Sequence, residues 1–271
     1  MRLCMFTPRE LELERGWPGL VEGDTVIQLA AQTLQSFFTG GGTARHHAEF
    51  PLEEVRFLAP VLYPPSVRDF YAFEQHVKTA RAARGLEVPA EWYEIPVFYF
   101  SNPAAIFGPD DVIPYPEVTE ELDYELEVAA VIGAEGRIGG FTVMNDWSAR
   151  DLQRKEMRVG LGPAKGKDFA TSIGPLVVTA DELGDEMVAR VNGEERSRGR
   201  LSDMHFSWEQ IREQAARNTV LRPGDILGSG TVGTGCILEL GDGRWLQPGD
   251  VVELQVEGIG VLRNTVGPRP G

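Results

Sequence analysis

Short apolar runs bounded by glycine and proline outnumber stretches of helical period along this chain, a pattern that predicts an α+β fold that is mainly β. Residues 2–6 read as a strand, 19–27 as a hairpin turning at Glu22-Gly23-Asp24, and 29–38 as a helix broken by three glycines at 40–42. Residues 55–61 form a further strand. The corner at Tyr63-Pro64-Pro65-Ser66 offers Ser66 as a helix N-cap, and 69–84 has the spacing of a helix stopped by Gly85. Residues 86–121 are irregular and rich in aromatics (Trp92, Tyr93, Phe98, Tyr99, Phe100), a length at which loops are more often functional than idle. Beyond them, 140–145 reads as a strand, 146–157 as a helix and 160–172 as a glycine-containing loop. Strands are expected at 175–180, 187–191, 225–228, 237–240 and 251–256, with one helix near 208–217. No repeat or low-complexity segment is present.

The most informative stretch is 122–133, LDYELEVAAVIG. Val128, Val131 and Ile132 belong to a buried strand that Gly133 ends. Glu125 and Glu127 are two apart, so on a strand they share a face roughly 7 Å from each other, at ~3.3 Å rise per residue. Tyr124, Leu126 and Val128 point the other way. Two carboxylates crowded against an apolar strand repel each other and lose water, so one takes a proton or a positive charge lies between them. A hard divalent cation such as Mg²⁺ or Ca²⁺ is the simplest partner. A solvated edge strand is the alternative these two residues leave open.

Length and composition narrow the classes. The 271 residues suffice for one large domain, or for a small one attached to a larger. No apolar run has the length of a membrane span, the first residues lack a signal-peptide core, and the two cysteines (Cys4, Cys236) form no framework. The expectation is a cytoplasmic protein with no membrane partner. The formal net charge of −15 leaves no basic stripe for nucleic acid, so an anionic substrate needs its own lysine, arginine or metal. The 31 glycines and 18 prolines imply many short turns, which reinforces the β-rich reading.

Several constellations could carry chemistry. Asp146, Arg150 and Gln153 fall on one stripe of the expected 146–157 helix, and the bulky Trp147 suggests that its start is packed. Asp69 and His76 share a helical face roughly 10 Å apart along the axis, enough to touch opposite ends of a small substrate. His46, His47 and His205 lack metal-ligand spacing. Lys165, Lys167 and Thr171 lie in a loop without the order of a phosphate loop, and the glycine-rich 228–236 run fits a loop closing over a site. Cys236 precedes an expected strand and is read as a buried, inert thiol rather than a nucleophile.

In this order the segments resemble the fumarylacetoacetate hydrolase family. The matching runs are DFYAFEQH at 69–76, PVFY at 96–99, DYELE at 123–127 and MNDWSARDLQ at 144–153. They continue with LGP at 161–163, Gly166, Lys167 and Thr171, then SGT at 229–231 with Leu238 and Glu239, and together cover about residues 60–265. The resemblance implies a rolled mixed β-sheet, a pseudo-barrel, as catalytic domain over 58–271. Flanking helices, a small N-terminal module over 1–57 and a homodimer complete the expectation. It also implies metal-dependent hydrolysis of a carbon–carbon bond in a 1,3-diketo acid of the fumarylacetoacetate or acylpyruvate kind, most often in aromatic-compound catabolism.

Carried over by position, Asp69, Glu125, Glu127 and Asp146 would bind Mg²⁺, Ca²⁺ or Mn²⁺, with Lys167 and Thr171 at the secondary cation and substrate positions. His76 would be the general base, oriented by Glu239. Arg150, Gln153 and Lys167 would form the oxyanion site, and Tyr71, Tyr99, Gln153 and Thr231 would contact substrate. Arg84 is nearest to the family's substrate-carboxylate arginine, one residue short in spacing. Thr79 stands where acylpyruvase-like and decarboxylase-like members place a glutamate, while Glu239 is present, so the chain resembles the hydrolase branch. The loop from Thr231 to Glu239 is shorter than in fumarylacetoacetase, which points away from fumarylacetoacetate as substrate. The alternative is a decarboxylase or isomerase of the same fold, of the oxaloacetate or hydroxyheptadienedioate type.

Overall fold

The strand Leu126–Ile132 is buried along its whole length, and its alternation explains why. Leu126, Val128, Ala130 and Ile132 enter one apolar core, while Ala129 and Val131 enter a second on the opposite face. Such a strand needs neighbours on both edges. It finds Ile138–Asp146 on one side and Ile226–Gly228 on the other, both antiparallel. The computed structural model describes residues 1–11 and 13–271.

Around this strand runs a twelve-stranded mixed sheet. Its path is His46–Pro51, Thr25–Leu29, Trp17–Glu22, Arg2–Pro8, Thr171–Val178, Ile138–Asp146, Leu126–Ile132, Ile226–Gly228, Val67–Phe70 and Phe98–Ser101. Val55–Leu58 adds to Arg2–Pro8, and Ile106–Phe107 to Thr171–Val178. The end strands do not pair with each other, so the sheet is rolled but open. A five-stranded sheet, ordered Glu194–Arg200, Glu186–Val191, Val251–Val256, Gly260–Val266 and Val112–Ile113, packs beside it. Helices are few, and the fold is mainly β, as expected. Arg2–Pro8 pairs with Thr171–Val178, so the first 57 residues contribute directly to the large sheet. Among the described residues no helix is long and apolar enough to cross a membrane.

Several element boundaries differ from the sequence reading. Residues 69–84 are not one helix. Val67–Phe70 is a strand held between Ile226–Gly228 and Phe98–Ser101, and the helix is Glu74–Ala82. Ser66 caps nothing; its hydroxyl donates to Asp225 Oδ1 at 2.7 Å. Asp146 likewise ends a strand, opposite Thr171, and the helix begins only at Arg150 (Arg150–Val159). Thr25–Leu29 is a strand, and the following helix, Leu34–Thr39, starts after a Thr33–Ser36 capping box. Residues 237–240 form a short helix, Ile237–Leu240, rather than a strand. Around Asp69 and Asp146 pairing with distant strands outweighs local propensity, whereas the start of Leu34–Thr39 is set by its local capping box. The strands Glu194–Arg200 and Gly260–Val266 lie where no element was expected.

Candidate active site

Sheet register, not helix spacing, assembles the four acidic side chains. Gly228 stands opposite Ala129 on one side and Asp69 on the other, while Leu126 stands opposite Asn145. Asp69, Glu127 and Asp146 therefore come from three strands, and Glu125 from the residue just before the central one. One oxygen of each of Asp69, Glu125, Glu127 and Asp146 lies within 4.8 Å of the others, and all four residues are buried. Gly228 leaves the room: a Cβ there would sit 2.5 Å from Asp69 Oδ1 and 3.0 Å from Glu127 Oε2. The Gly230 N–H (3.1 Å) and the Thr231 hydroxyl (3.4 Å) donate to Glu127.

Two buried cations face this cluster. Lys167 Nζ donates to Glu125 Oε2 at 2.6 Å and Asp146 Oδ2 at 2.5 Å. Arg150 spans Glu125 Oε1 (2.7 Å), Asp123 Oδ2 (2.7 Å) and Gln153 Oε1 (3.1 Å). Tyr99 OH donates to Asp146 Oδ2 at 2.5 Å, and burial next to that carboxylate pushes the phenol up, keeping it a donor. Thr171 is buried, its hydroxyl 3.4 Å from that of Ser101.

If all four were ionised, the carboxylates against Lys167 and Arg150 would leave an excess of two negative charges, and Asp123 takes part of the Arg150 charge as well. Burial, then Asp146, pushes Asp69 well above the ordinary carboxylate range, and burial together with Asp69 does the same to Glu127. Glu125 is held low because Lys167 and Arg150 outweigh its burial. Burial works against the Lys167 ammonium, but Asp146 and Glu125 hold its affinity for the proton above the usual value. Asp69 Oδ1 and Asp146 Oδ1 are buried without a hydrogen-bond partner. Carboxylate oxygens, unused lone pairs and two carboxylates driven by burial and mutual repulsion to take protons fit a hard divalent cation, whose charge would stand in for those protons.

Beside the cluster, His76 Nδ1 approaches Glu239 Oε2 at 2.8 Å. The contact is close but off the line of a good hydrogen bond, since Nδ1 makes none. Such apo contacts commonly tighten only with substrate. Tyr71 meets the imidazole edge-on at 5.3 Å, and burial pushes its phenol up to about 12. Glu239 rides on the short helix Ile237–Leu240, whose first N–H groups (Ile237 at 2.8 Å, Leu238 at 3.1 Å) donate to Asp123. Asp123 thus ties Arg150 to the element that carries Glu239. The sequence reading gave it no role, although period two places it on the face of Glu125 and Glu127. Cys236 is buried, as expected, and its thiol donates to Glu239 Oε2 at 3.7 Å. Burial pushes that thiol well up, which disfavours a nucleophile.

The structure thus brings together Asp69, Glu125, Glu127, Asp146, Lys167, Arg150, Gln153, Tyr99 and Thr231, with His76, Glu239 and Tyr71 alongside. Two proposed geometries change. Asp69 and His76 do not share a helix, and Asp146 is not on the helical stripe of Arg150 and Gln153. Arg84 is exposed near the end of Glu74–Ala82, bonded to the Ala80 carbonyl at 3.2 Å, although its charge reaches Tyr71. Lys165 turns outward to Asp168, and His205 packs among Trp92, Tyr93 and Phe206.

Comparison with known proteins places this geometry. The sequence model of the fumarylacetoacetate (FAA) hydrolase C-terminal domain matches residues 66–267. The chain is 32% identical over 299 aligned residues to the mitochondrial oxaloacetate tautomerase Fahd2a of Rattus norvegicus, covering 98% of this chain and 91% of that protein. Among solved structures, the 5-carboxymethyl-2-hydroxymuconate delta-isomerase of Mycobacterium smegmatis superposes with a TM-score of 0.77 at 30% identity, covering 99% of this chain and all of that one. The fumarylacetoacetate hydrolase of psychrophilic Exiguobacterium antarcticum gives 0.80 at 26% identity, again over 99% of this chain and all of the other. With the carboxylate cluster, the open mainly β sheet and a match across most of its length, the chain belongs to the fumarylacetoacetate hydrolase family.

Proposed function

We propose that this protein is a divalent-cation-dependent tautomerase or isomerase of a 2-oxo dicarboxylic acid such as oxaloacetate. The observation that carries the reading is its near full-length similarity to a protein named as an oxaloacetate tautomerase, supported by the likeness to a delta-isomerase structure. The chemistry named for those relatives displaces carbon–carbon bond hydrolysis, expected from the sequence, as the first reading.

Asp69, Glu125, Glu127 and Asp146 would hold the cation, which would supply Lewis acidity toward the oxygen of the 2-oxo group. Glu239 beside Nδ1 favours the His76 tautomer protonated there, leaving Nε2 to take a proton from the carbon next to the carbonyl. The imidazolium that forms would lie beside Glu239, and its charge would favour the ionised form of Glu125. Lys167 and Arg150 set positive charge beside the site where negative charge develops on substrate oxygen. Returning the proton to oxygen gives the enol, and the reverse sequence gives the ketone, so one proton moves between carbon and oxygen with no other reactant.

Hydrolysis of a diketo acid is the second reading, favoured by the His76–Glu239 pair, which could equally take a proton from water, and by the likeness to a fumarylacetoacetate hydrolase. A small keto acid as partner and a homodimeric assembly belong to the same proposal, the latter tested by sedimentation. The deciding experiment follows the ultraviolet absorbance of enol oxaloacetate and of acylpyruvates with purified protein and Mg²⁺, with and without chelator. Chelator-sensitive ketonisation of oxaloacetate with its carbon skeleton intact supports the proposal. Cleavage of acylpyruvates to two acids without ketonisation replaces it with hydrolysis, and carbon dioxide release from oxaloacetate replaces it with decarboxylation.

A further inference from the structure

His76 and Glu239, which the proposed proton transfer uses, form a buried group with Cys236, which it does not. One ligating atom from each lies within 4.8 Å of the others. His76 is 6% exposed, Cys236 0%, and the Glu239 side chain 1%. Two of their polar atoms, His76 Nδ1 and Glu239 Oε1, are buried without a hydrogen-bond partner. We propose that these three side chains form a second cation site, selective for a borderline-soft ion such as Zn²⁺, and that its occupancy arrests the enzyme.

The donor set argues for this ion. The four carboxylates offer only hard oxygen, whereas this group offers imidazole nitrogen, sulfur and one carboxylate, the ligand types of Zn²⁺ sites. Cys236 caps the short helix Ile237–Leu240 and Glu239 lies three residues on, so both face the packed helix Glu74–Ala82 that carries His76. Tetrahedral Zn²⁺ would hold nitrogen and oxygen ligands about 3.3 Å apart and sulfur and oxygen about 3.5 Å apart, from bond lengths of about 2.0 and 2.3 Å. The present separations are 2.8 Å for Nδ1 to Oε2 and 3.7 Å for Sγ to Oε2. Small side-chain adjustments therefore suffice. On binding, the Cys236 thiol releases its proton to solvent, and thiolate plus carboxylate cancel the double charge of the ion within the buried site. A fourth position stays open for water or a substrate oxygen.

Inhibition follows from the imidazole. An ion on Nδ1 confines the remaining ring proton to Nε2, the nitrogen that has to accept one. This consequence rests on the proton-transfer role proposed for His76. The binding itself does not, so the two can fail separately.

The test uses the full chain in excess Mg²⁺, with Co²⁺ as a spectroscopic probe and Zn²⁺ as competitor. Binding of one Co²⁺ with a thiolate-to-metal charge-transfer band in the near ultraviolet, displaced by Zn²⁺, is the expected result. Cys236→Ser should abolish the band and weaken Zn²⁺ inhibition by at least ~10-fold, the scale of even an outer-layer ligand loss, while keeping Mg²⁺-supported activity. Cys4→Ala and Glu127→Gln should both keep the band. Co²⁺ bound without a thiolate band in the unsubstituted chain overturns the proposal without recourse to any variant. So does a Cys236→Ser protein whose Zn²⁺ affinity is unchanged. A thiolate band without inhibition leaves the site in place and removes the role of His76.

Discussion

Alanine at Gly228 should weaken divalent-cation binding while leaving the chain folded. The added Cβ would lie 2.5 Å from Asp69 Oδ1, 2.7 Å from Met144 Cε and 3.0 Å from Glu127 Oε2. Ordinary contact begins at 3.4 Å, so the Asp69 oxygen would have to retreat by 3.4 − 2.5 = 0.9 Å. The Met144 terminus can swing aside, but the two carboxylates are fixed by their strands. Metal–oxygen distances tolerate only about ±0.2 Å, so the displaced oxygen ceases to be a ligand. Cation affinity should fall about 10–100-fold, the range for disturbed ligand support. Overpacking should cost about 1–3 kcal/mol of stability, or about 2–4 °C of Tm per kcal/mol for a chain of this size. Calorimetric titration with Mg²⁺ and Mn²⁺ reads the first effect, and melting curves with and without chelator separate it from the second. The packing cost appears in both curves, whereas only the affinity loss shrinks the rise in Tm that the cation produces. A folded Gly228→Ala protein with the original cation affinity would show that the four-carboxylate cluster is not where the ion binds.

Three further outcomes are expected. His76→Ala should lower turnover by about 10²–10⁴, the usual scale of a general base, with cation affinity nearly unchanged; loss of both in a titration would reassign His76 to the metal. Lys167→Met should cost about 3–5 kcal/mol in the chelated protein, because it removes the ammonium shared by two buried carboxylates and leaves Asp146 with the Tyr99 hydroxyl and Glu125 with Arg150. Chemical denaturation should show part of that loss restored by a divalent cation, and a variant as stable as the parent in chelator would refute the charge count. Asp69 and Glu127 have raised affinities for the proton, so their contribution to stability is full below the ordinary carboxylate values of 3.8 and 4.5 and fades as pH rises toward their higher folded values. Glu125, held low by Lys167 and Arg150 against its burial, works oppositely: its contribution is present above 4.5 and is lost as pH falls. Tm measured against pH should therefore decline above that range in chelator and flatten with Mg²⁺; the same slope in both would exclude Asp69 and Glu127 as ligands.

The chain's own pattern determined the β-rich character, the buried Leu126–Ile132 strand and the shared face of Glu125 and Glu127, because period two is a local property of the backbone. Motif order was enough to name the family and most of the residues that meet in the site, but it also put Arg84 there, which is exposed, and gave Asp123 no role. What local pattern could not supply was the secondary structure around Asp69 and Asp146. Both stretches have helical spacing, yet each acid lies on a strand because neighbours from residues 98–101, 171–178 and 226–228 complete the hydrogen-bonded ladder there. The bridge from Asp123 through Arg150 to Glu125 likewise joins residues 27 and 25 positions apart, and the tie from Asp123 to the helix bearing Glu239 spans 114, so both exist only once these segments are packed together. So does the meeting of Cys236 with His76 and Glu239. Ligand types and their faces were written in one dimension. Their distances, buried charges and unused lone pairs were decided by tertiary packing, since desolvation and sheet register depend on segments far away in sequence.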